Sequence, residues 1–304
     1  MQFSRRAFLK AASASLGLTV IDPLSFSQAD LEQALKEIGA NLLELVNEER
    51  DVAKVPPVAL DEFATQVATK HAIDMATGQF ASHWGRDGLK PYHRYSFAGG
   101  TDATQENISA SDNTLSTKLA DLKDNAAYLH VRLYNEPPPN DRPRKVILAP
   151  QHTHVGFGIA VDQLRLRLVE LFVAKYVKLR PVKRSAEPGS QLFVSGKVLD
   201  RDFVMDHVEV CYEPLPKAPE LSWLRQPRLY SVPKDCAVLQ PRVPPPFTYS
   251  DPTRGLIDVM PGGGFSFPVK LSKFEPGIYT VVVWIKRERT HNAFPASEVC
   301  IRAE

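Results

Sequence analysis

Val155-Gly156-Phe157-Gly158-Ile159-Ala160-Val161 decides the architecture of the first half of the chain. Bulky side chains alternate with glycine and alanine at the period of a β-strand, so one face is apolar and bulky and the other nearly bare. A bare face lets another element approach the backbone closely, as in a sheet packed tightly under helices. The next segment, Leu166 to Val177, is apolar on both alternations and reads as a central strand covered on both sides.

Helical periods precede these strands. Leu31, Leu35, Ile38, Leu42 and Leu45 recur at helical spacing through Arg50, and Pro56-Pro57 stops any continuation. A second helix follows, with Asp61 placed to cap it, Ala64, Val67, Ala68 and Met75 on one face, and Gly78 where a left-handed terminating residue is wanted. His71 falls on the same stripe, the usual place of a hydrogen-bonded core histidine. Leu115, Leu119, Leu122, Ala126, Leu129 and Leu133 make a third helix after a cap at Ser111 or Asp112, ended by Pro137-Pro138-Pro139. Three helices around such a sheet define a layered α+β domain.

Composition then shifts. Residues 180–190 are polar, carry Pro181, Pro188 and Gly189, and read as a linker; 16 of the 25 prolines lie from Pro181 onward. Beyond it, Leu192 to Leu199, His207 to Glu213, Phe265 to Leu271, Ile278 to Ile285 and Glu298 to Arg302 are strand candidates. Short strands with proline-rich turns and no helical pattern predict an all-β, immunoglobulin-like sandwich over 191–304. The irregular stretch from Pro214 to Pro261 holds either extra edge strands or a docking loop that folds against the first domain. Cys211, Cys236 and Cys300 form no Cys-x-x-Cys pair, so a zinc ribbon is excluded. Either one disulfide with one free thiol or three thiols fits, and alternation puts Cys211 and Cys300 on the polar sides of their strands, beside glutamates.

Ser4-Arg5-Arg6-Ala7-Phe8-Leu9-Lys10, with the apolar run Ala11 to Ile21 behind it, resembles a bacterial twin-arginine export signal. The run is too short for a transmembrane helix. Ser27-Gln28-Ala29 supplies the small residues of a cleavage site, which makes 1–29 the signal and places the mature start near Asp30. The resemblance implies a protein exported already folded, periplasmic or extracellular, with no integral membrane segment once mature. The net charge of +2 is accounted for by Arg5, Arg6 and Lys10 against Asp22, so the mature protein is formally neutral. A neutral body gives little counterion-release drive, which argues against nucleic acid as a partner.

No Gly-x-Ser-x-Gly elbow, His-Glu-x-x-His pair or phosphate-cradling loop occurs. Six segments in order nevertheless resemble the SCP or CAP superfamily, the cysteine-rich secretory, antigen-five and pathogenesis-related-one proteins. They are Leu45-Val46-Asn47-Glu48-Glu49-Arg50, Ala72-Ile73-Asp74-Met75, Ser82-His83-Trp84 with Asp87-Gly88, Glu106-Asn107-Ile108, Tyr134-Asn135-Glu136, and Val155-Gly156-Phe157-Gly158-Ile159-Ala160. The resemblance implies an α/β/α sandwich, here over 30–179, and a cleft where two histidines and two glutamates converge. Carried onto this sequence, the cleft residues are His83, Glu106 and Glu136. The second histidine is replaced by Pro143 in Pro143-Arg144-Lys145-Val146-Ile147-Leu148. Proline offers no imidazole, which weakens a zinc or other divalent-metal site of the family's type. His152 and His154, two apart, would point to the same side of one strand and are the substitutes within reach.

Two functions follow as expectations. One is an exported, non-enzymatic binding or adaptor module of the envelope, its ligand a wall glycan, a lipid or another exported protein. The other is a hydrolase outside the cytoplasm, metal-dependent or using His83 with Glu106 and Glu136 as acid and base.

Overall fold

The computed structural model describes residues 18–20, 28–112, 119–162, 164–251 and 254–304. Arg5, Arg6 and the motif around them lie outside the described residues, and the expected mature start near Asp30 falls in the first turn of the first helix. The elements run β1 (Leu18–Val20), α1 (Gln28–Val52), β2 (Ala59–Leu60), α2 (Glu62–Gly78), α3 (Pro91–Phe97), β3 (Ala103–Ser111), α4 (Leu119–Tyr134), α5 (Arg142–Ile147), β4 (His154–Asp162) and β5 (Arg165–Ala174). They continue with β6 (Val177–Leu179), β7 (Ser185–Ala186), β8 (Gln191–Val198), β9 (Phe203–Pro214), α6 (Leu221–Leu224), β10 (Cys236–Leu239), β11 (Asp258–Met260), β12 (Gly264–Lys270), β13 (Gly277–Arg287) and β14 (Ala293–Ala303). Two compact units result. The first holds the described residues up to Pro91 with Gln105–Val173 and Ala218–Leu229; the second holds Tyr92–Thr104, Ala174–Lys217 and Tyr230–Glu304.

In the first unit the sheet order is β1-β4-β5-β3, with β2 also on β4. β1 and β2 run parallel to β4, and β4 runs antiparallel to β5, so the sheet is mixed. The bare face of β4 lies against α2. A Cβ on Gly156 would fall 2.2 Å from the Thr65 amide nitrogen, and one on Gly158 2.2 Å from the Ala68 carbonyl carbon. Glycine is required there because backbone meets backbone. On the bulky face Val155, Phe157, Ile159 and Val161 join a core with Ile38, Leu42 and Val46 of α1 and Leu122, Ala126, Leu129 and Leu133 of α4. Each such fully buried aliphatic side chain contributes about 1.5–3 kcal/mol. Helices on both faces of one sheet give the layered α+β fold that the periodicity predicts.

Local differences have physical reasons. Asp61 caps α2 as expected, its Oδ1 accepting from the Ala64 amide at 2.6 Å. The left-handed terminating residue is Gln79 (φ 55°) and not Gly78, which completes the helix one residue earlier. Ser111 ends β3 and Asp112 pairs with Arg167; the described residues of α4 begin at Leu119, and Leu115 and the expected start of that helix lie outside the described residues. The apolar strand expected to reach Val177 ends at Ala174, and Val177 opens β6 in the second unit.

The second unit packs a five-stranded sheet, β10-β9-β13-β14-β7, against a four-stranded one, β11-β12-β8-β6. Their facing sides form one core that includes Val194, Val208, Phe265, Phe267, Val281, Val283 and Ile301. β6 and β7 occupy part of the segment expected as a linker. Cys211 and Cys236, opposite one another on β9 and β10, form a disulfide, and Cys300 is a free, buried thiol. Cys211 and Cys300 are buried, against the expectation of a polar face. For Cys300 the cause is the segment Tyr92–Thr104, which covers that face of β14. Ser96 Oγ accepts from the Cys300 amide at 2.7 Å, the Thr104 amide donates to Glu298 Oε2 at 2.9 Å, and Asp102 bridges Ser297. Alternation tells which side chains share a face, and only the tertiary structure tells what lies over it.

Candidate functional site

The chain reverses after α2 through a tight loop that presents His83. Asp74 of α2 holds that loop, its Oδ2 accepting from the Arg86 amide at 3.0 Å and its Oδ1 from Arg86 Nε at 2.5 Å. Asp87 Oδ1 accepts from the Leu89 amide at 2.9 Å, and Gly88 supplies the positive φ (79°) that closes the turn. Glu106 stands on β3, its side chain 2 % exposed. His83 Nδ1 lies 2.9 Å from Glu106 Oε1. With Glu106 ionised, its carboxylate only accepts and the imidazole donates from Nδ1, an arrangement that orients the ring. His83 keeps 13 % of its side-chain surface open to solvent, and a ligand can reach it.

His71 enters the same neighbourhood. Its Nε2 lies 2.8 Å from the Ser82 carbonyl, which pins the His83 loop to α2, and 4.0 Å from Glu106 Oε1. The sequence places His71 on an apolar stripe as a core histidine, and it is buried as expected. Its approach to Glu106 depends on how β3 passes α2, for which no local signal exists.

Glu136 is placed otherwise. It follows α4 and lines a cavity of about 610 Å³ with Asn135, Pro138, Asp141, Arg144 and Lys145, a lining that contains neither His83 nor Glu106. Burial raises its pKa, with Arg132 opposing. Pro143 lies in α5, and its carbonyl accepts from Asn107 Nδ2 at 3.2 Å. His152 and His154 do not share a strand face: β4 begins at His154, and His152 is in the turn before it. His152 is buried, its Nδ1 donating to the Val146 carbonyl at 2.9 Å and its ring stacked on Phe172 at 5.2 Å. Burial pushes its pKa down to about 3, so it stays neutral. His154 Nδ1 meets Thr153 Oγ1 at 2.8 Å. Among the described residues no group of three or more His, Cys, Asp and Glu side chains could hold a metal ion. The two-histidine, two-glutamate zinc set that the superfamily resemblance implies does not fit these residues.

A second polar cluster lies deeper. His130 of α4 sits between Glu170 of β5 (Nδ1 to Oε1, 2.6 Å) and Glu49 of α1 (Nε2 to Oε2, 3.2 Å), and Asn107 donates to Glu170 Oε2 at 3.2 Å. Burial alone would strip the proton from His130, but Glu170 and then Glu49 outweigh it and lift its pKa to about 10. Burial raises the pKa of Glu49 as well, with His130 opposing. Sequence reading leaves His130 either packed or facing solvent on its helix; here it is buried and ties three elements together. The available signal was Glu170, the one carboxylate in its strand, flanked by Val169 and Leu171. His93 belongs to the second unit, where its Nε2 lies 3.1 Å from Glu213 Oε1.

Helices on both faces of a mixed sheet, with a histidine from the loop after α2 held by a glutamate on β3, define a small layered domain with a polar site at its surface. Residues 43–176, less than half of the chain, match the model of the cysteine-rich secretory protein family, CAP, and this segment is a CAP domain. Among solved structures, an extracellular protein containing an SCP domain from Bacillus anthracis is 22 % identical over 46 % of this chain and 41 % of its own, with a TM-score of 0.35. An outer surface protein from Borrelia burgdorferi is 15 % identical over 49 % of this chain and 94 % of its own, also at 0.35. The match thus spans about two fifths of the Bacillus protein's length. No curated protein matches the chain.

Proposed function

We propose that this chain is an exported CAP-domain protein of the bacterial envelope that binds a polar ligand at His83 and Glu106, with no chemical step. The carrying observation is the accessible His83 imidazole oriented by buried Glu106, while the second histidine's place is taken by Pro143, whose carbonyl is engaged by Asn107. One oriented imidazole suits hydrogen bonding to a ligand, and a metal centre needs several converging donors. Export through the twin-arginine pathway rests on Arg5-Arg6 and its flanks, and the Cys211–Cys236 disulfide is in keeping with an oxidising compartment. Among the described residues no helix is long and apolar enough to cross a membrane. The all-β unit is proposed to be an immunoglobulin-like module that positions the CAP domain or grips a second partner, an analogy from fold.

Sedimentation of the mature protein with purified envelope tests this reading. His83→Ala should lower the affinity about tenfold, the loss of one or two hydrogen bonds to a charged or dipolar ligand, and, by leaving buried Glu106 without this partner, should cost about 1–3 kcal/mol of stability, so binding is compared under conditions where thermal melts show the variant folded. Glu136→Gln, in its separate cavity, should bind as wild type. Equal retention of wild type and His83→Ala would discard the site. A second reading, acid-base hydrolysis, is favoured by the His83–Glu106 pair itself, which has the geometry of an oriented general base. It requires turnover of an envelope substrate with a pH profile that His83→Ala abolishes.

A further inference from the structure

Residues 218–229 reach the CAP unit from far along the sequence, inside the chain excursion closed by Cys211–Cys236. Their short helix α6 carries Trp223. Its ring meets that of Trp84 edge to face, centroids 5.3 Å apart, and Trp84 directly follows His83. Arg225 Nε donates to the Gln79 carbonyl at 3.1 Å, which anchors the segment to the end of α2. Arg228 lies over the Trp223 ring at 4.4 Å. Both indoles are half-buried, and Arg86, Asp87, Arg225, Gln226 and Arg228 around them are exposed.

We infer that Trp84 and Trp223 form an aromatic binding wall beside His83 and that the ligand class is a carbohydrate. The inference rests on the proposed His83–Glu106 site and names its ligand. Each partly open indole offers an apolar ring, the two set at 82° to one another; the imidazole of the preceding residue and the guanidinium groups of the segment offer directed hydrogen bonds. A sugar ring has that pairing, one face of C–H groups and an edge of hydroxyls. An acyl chain would need a continuous apolar groove, and the charged side chains around the indoles, with Leu221 and Leu229 exposed singly on the same segment, do not line one. A simple cation would compete with Arg228 for the Trp223 ring.

The chain has three tryptophans, and Trp284 of β13 is in the second unit, so Trp284→Phe leaves the two indoles of the wall as the tryptophan fluorophores. In that background, titration with soluble chitin oligosaccharides and with oligosaccharides released from peptidoglycan should shift the emission saturably. In retention on insoluble chitin and peptidoglycan, Trp223→Ala and Trp84→Ala should each weaken binding about tenfold, and Trp223→Phe should keep most of it. Circular dichroism melts separate loss of binding from loss of fold, and the fluorescence titration stands even where an alanine variant does not fold. No emission shift with any oligosaccharide, or retention of a folded Trp223→Ala equal to wild type, overturns the inference. Binding that His83→Ala abolishes but that is seen only with anionic phospholipid vesicles or envelope protein overturns the carbohydrate assignment and leaves the His83 site standing. Loss of glycan binding in Trp223→Ala with none in His83→Ala upholds the wall and removes His83 from it.

Discussion

At the scale of single residues, buried ionisable groups dominate the behaviour expected of this protein. Glu298 is buried under the Tyr92–Thr104 segment, and burial, against the Thr104 amide, pushes its pKa up to about 7. A carboxyl whose folded pKa lies above its unfolded value binds a proton more tightly when folded. Its stabilising contribution is therefore complete below the unfolded pKa of 4.5 and is lost as pH rises through about 7. The loss amounts to roughly 3 kcal/mol. Urea unfolding at about pH 5 and about pH 8 should show it in wild type, and Glu298→Gln, which stays neutral, should remove this part of the dependence. His130 poses the opposite problem. His130→Ala would leave Glu170 and Glu49 facing each other without the cation between them, and should destabilise the CAP unit by about 3–5 kcal/mol in denaturant unfolding. A variant with wild-type stability would show that the trio is hydrated or neutral in solution.

At the scale of elements, the contact of β4 with α2 is backbone against backbone and is the one the sequence states most openly. Because a Cβ on Gly158 would meet the Ala68 backbone, the helix as a whole would have to lift off the sheet. Gly158→Ala should therefore cost about 1–3 kcal/mol, read as a lowered midpoint of thermal unfolding, although alanine suits a strand no worse than glycine does. The bulky side of β4 was equally legible, since Val155, Phe157, Ile159 and Val161 find the apolar stripes of α1 and α4 that helical spacing predicts. Helix ends were less so. Gln79 takes the left-handed conformation that Gly78 is suited to, because α2 runs on through Gly78 before Phe80 turns inward.

At the scale of the whole molecule, the two units interleave along the chain. Residues 92–104 and 218–229 each belong to the unit that the rest of their sequence neighbourhood does not. Truncation after Ser185 would strip Tyr92 of its partner Glu213, Ser96 of Cys300 and Thr104 of Glu298. Such a fragment should lose cooperative unfolding or aggregate, whereas a cut between freely folding domains would not; a sharp thermal transition in the fragment would refute the interleaving. The sequence by itself determined the layered α+β character of the first half, the strands of the second, Asp61 as a cap and the pairing of a CAP-like pattern with His83 and Glu106. These rest on periods of two and 3.6 residues and on short motifs, which are local properties of the chain. Only the tertiary structure decided that Glu136 lines a cavity whose lining lacks His83, that Cys211 pairs with Cys236, that His130 is buried between Glu170 and Glu49, and that Trp223 stands beside Trp84. Each of those depends on which distant segments meet, and long-range packing leaves no periodic trace in the residues that take part in it.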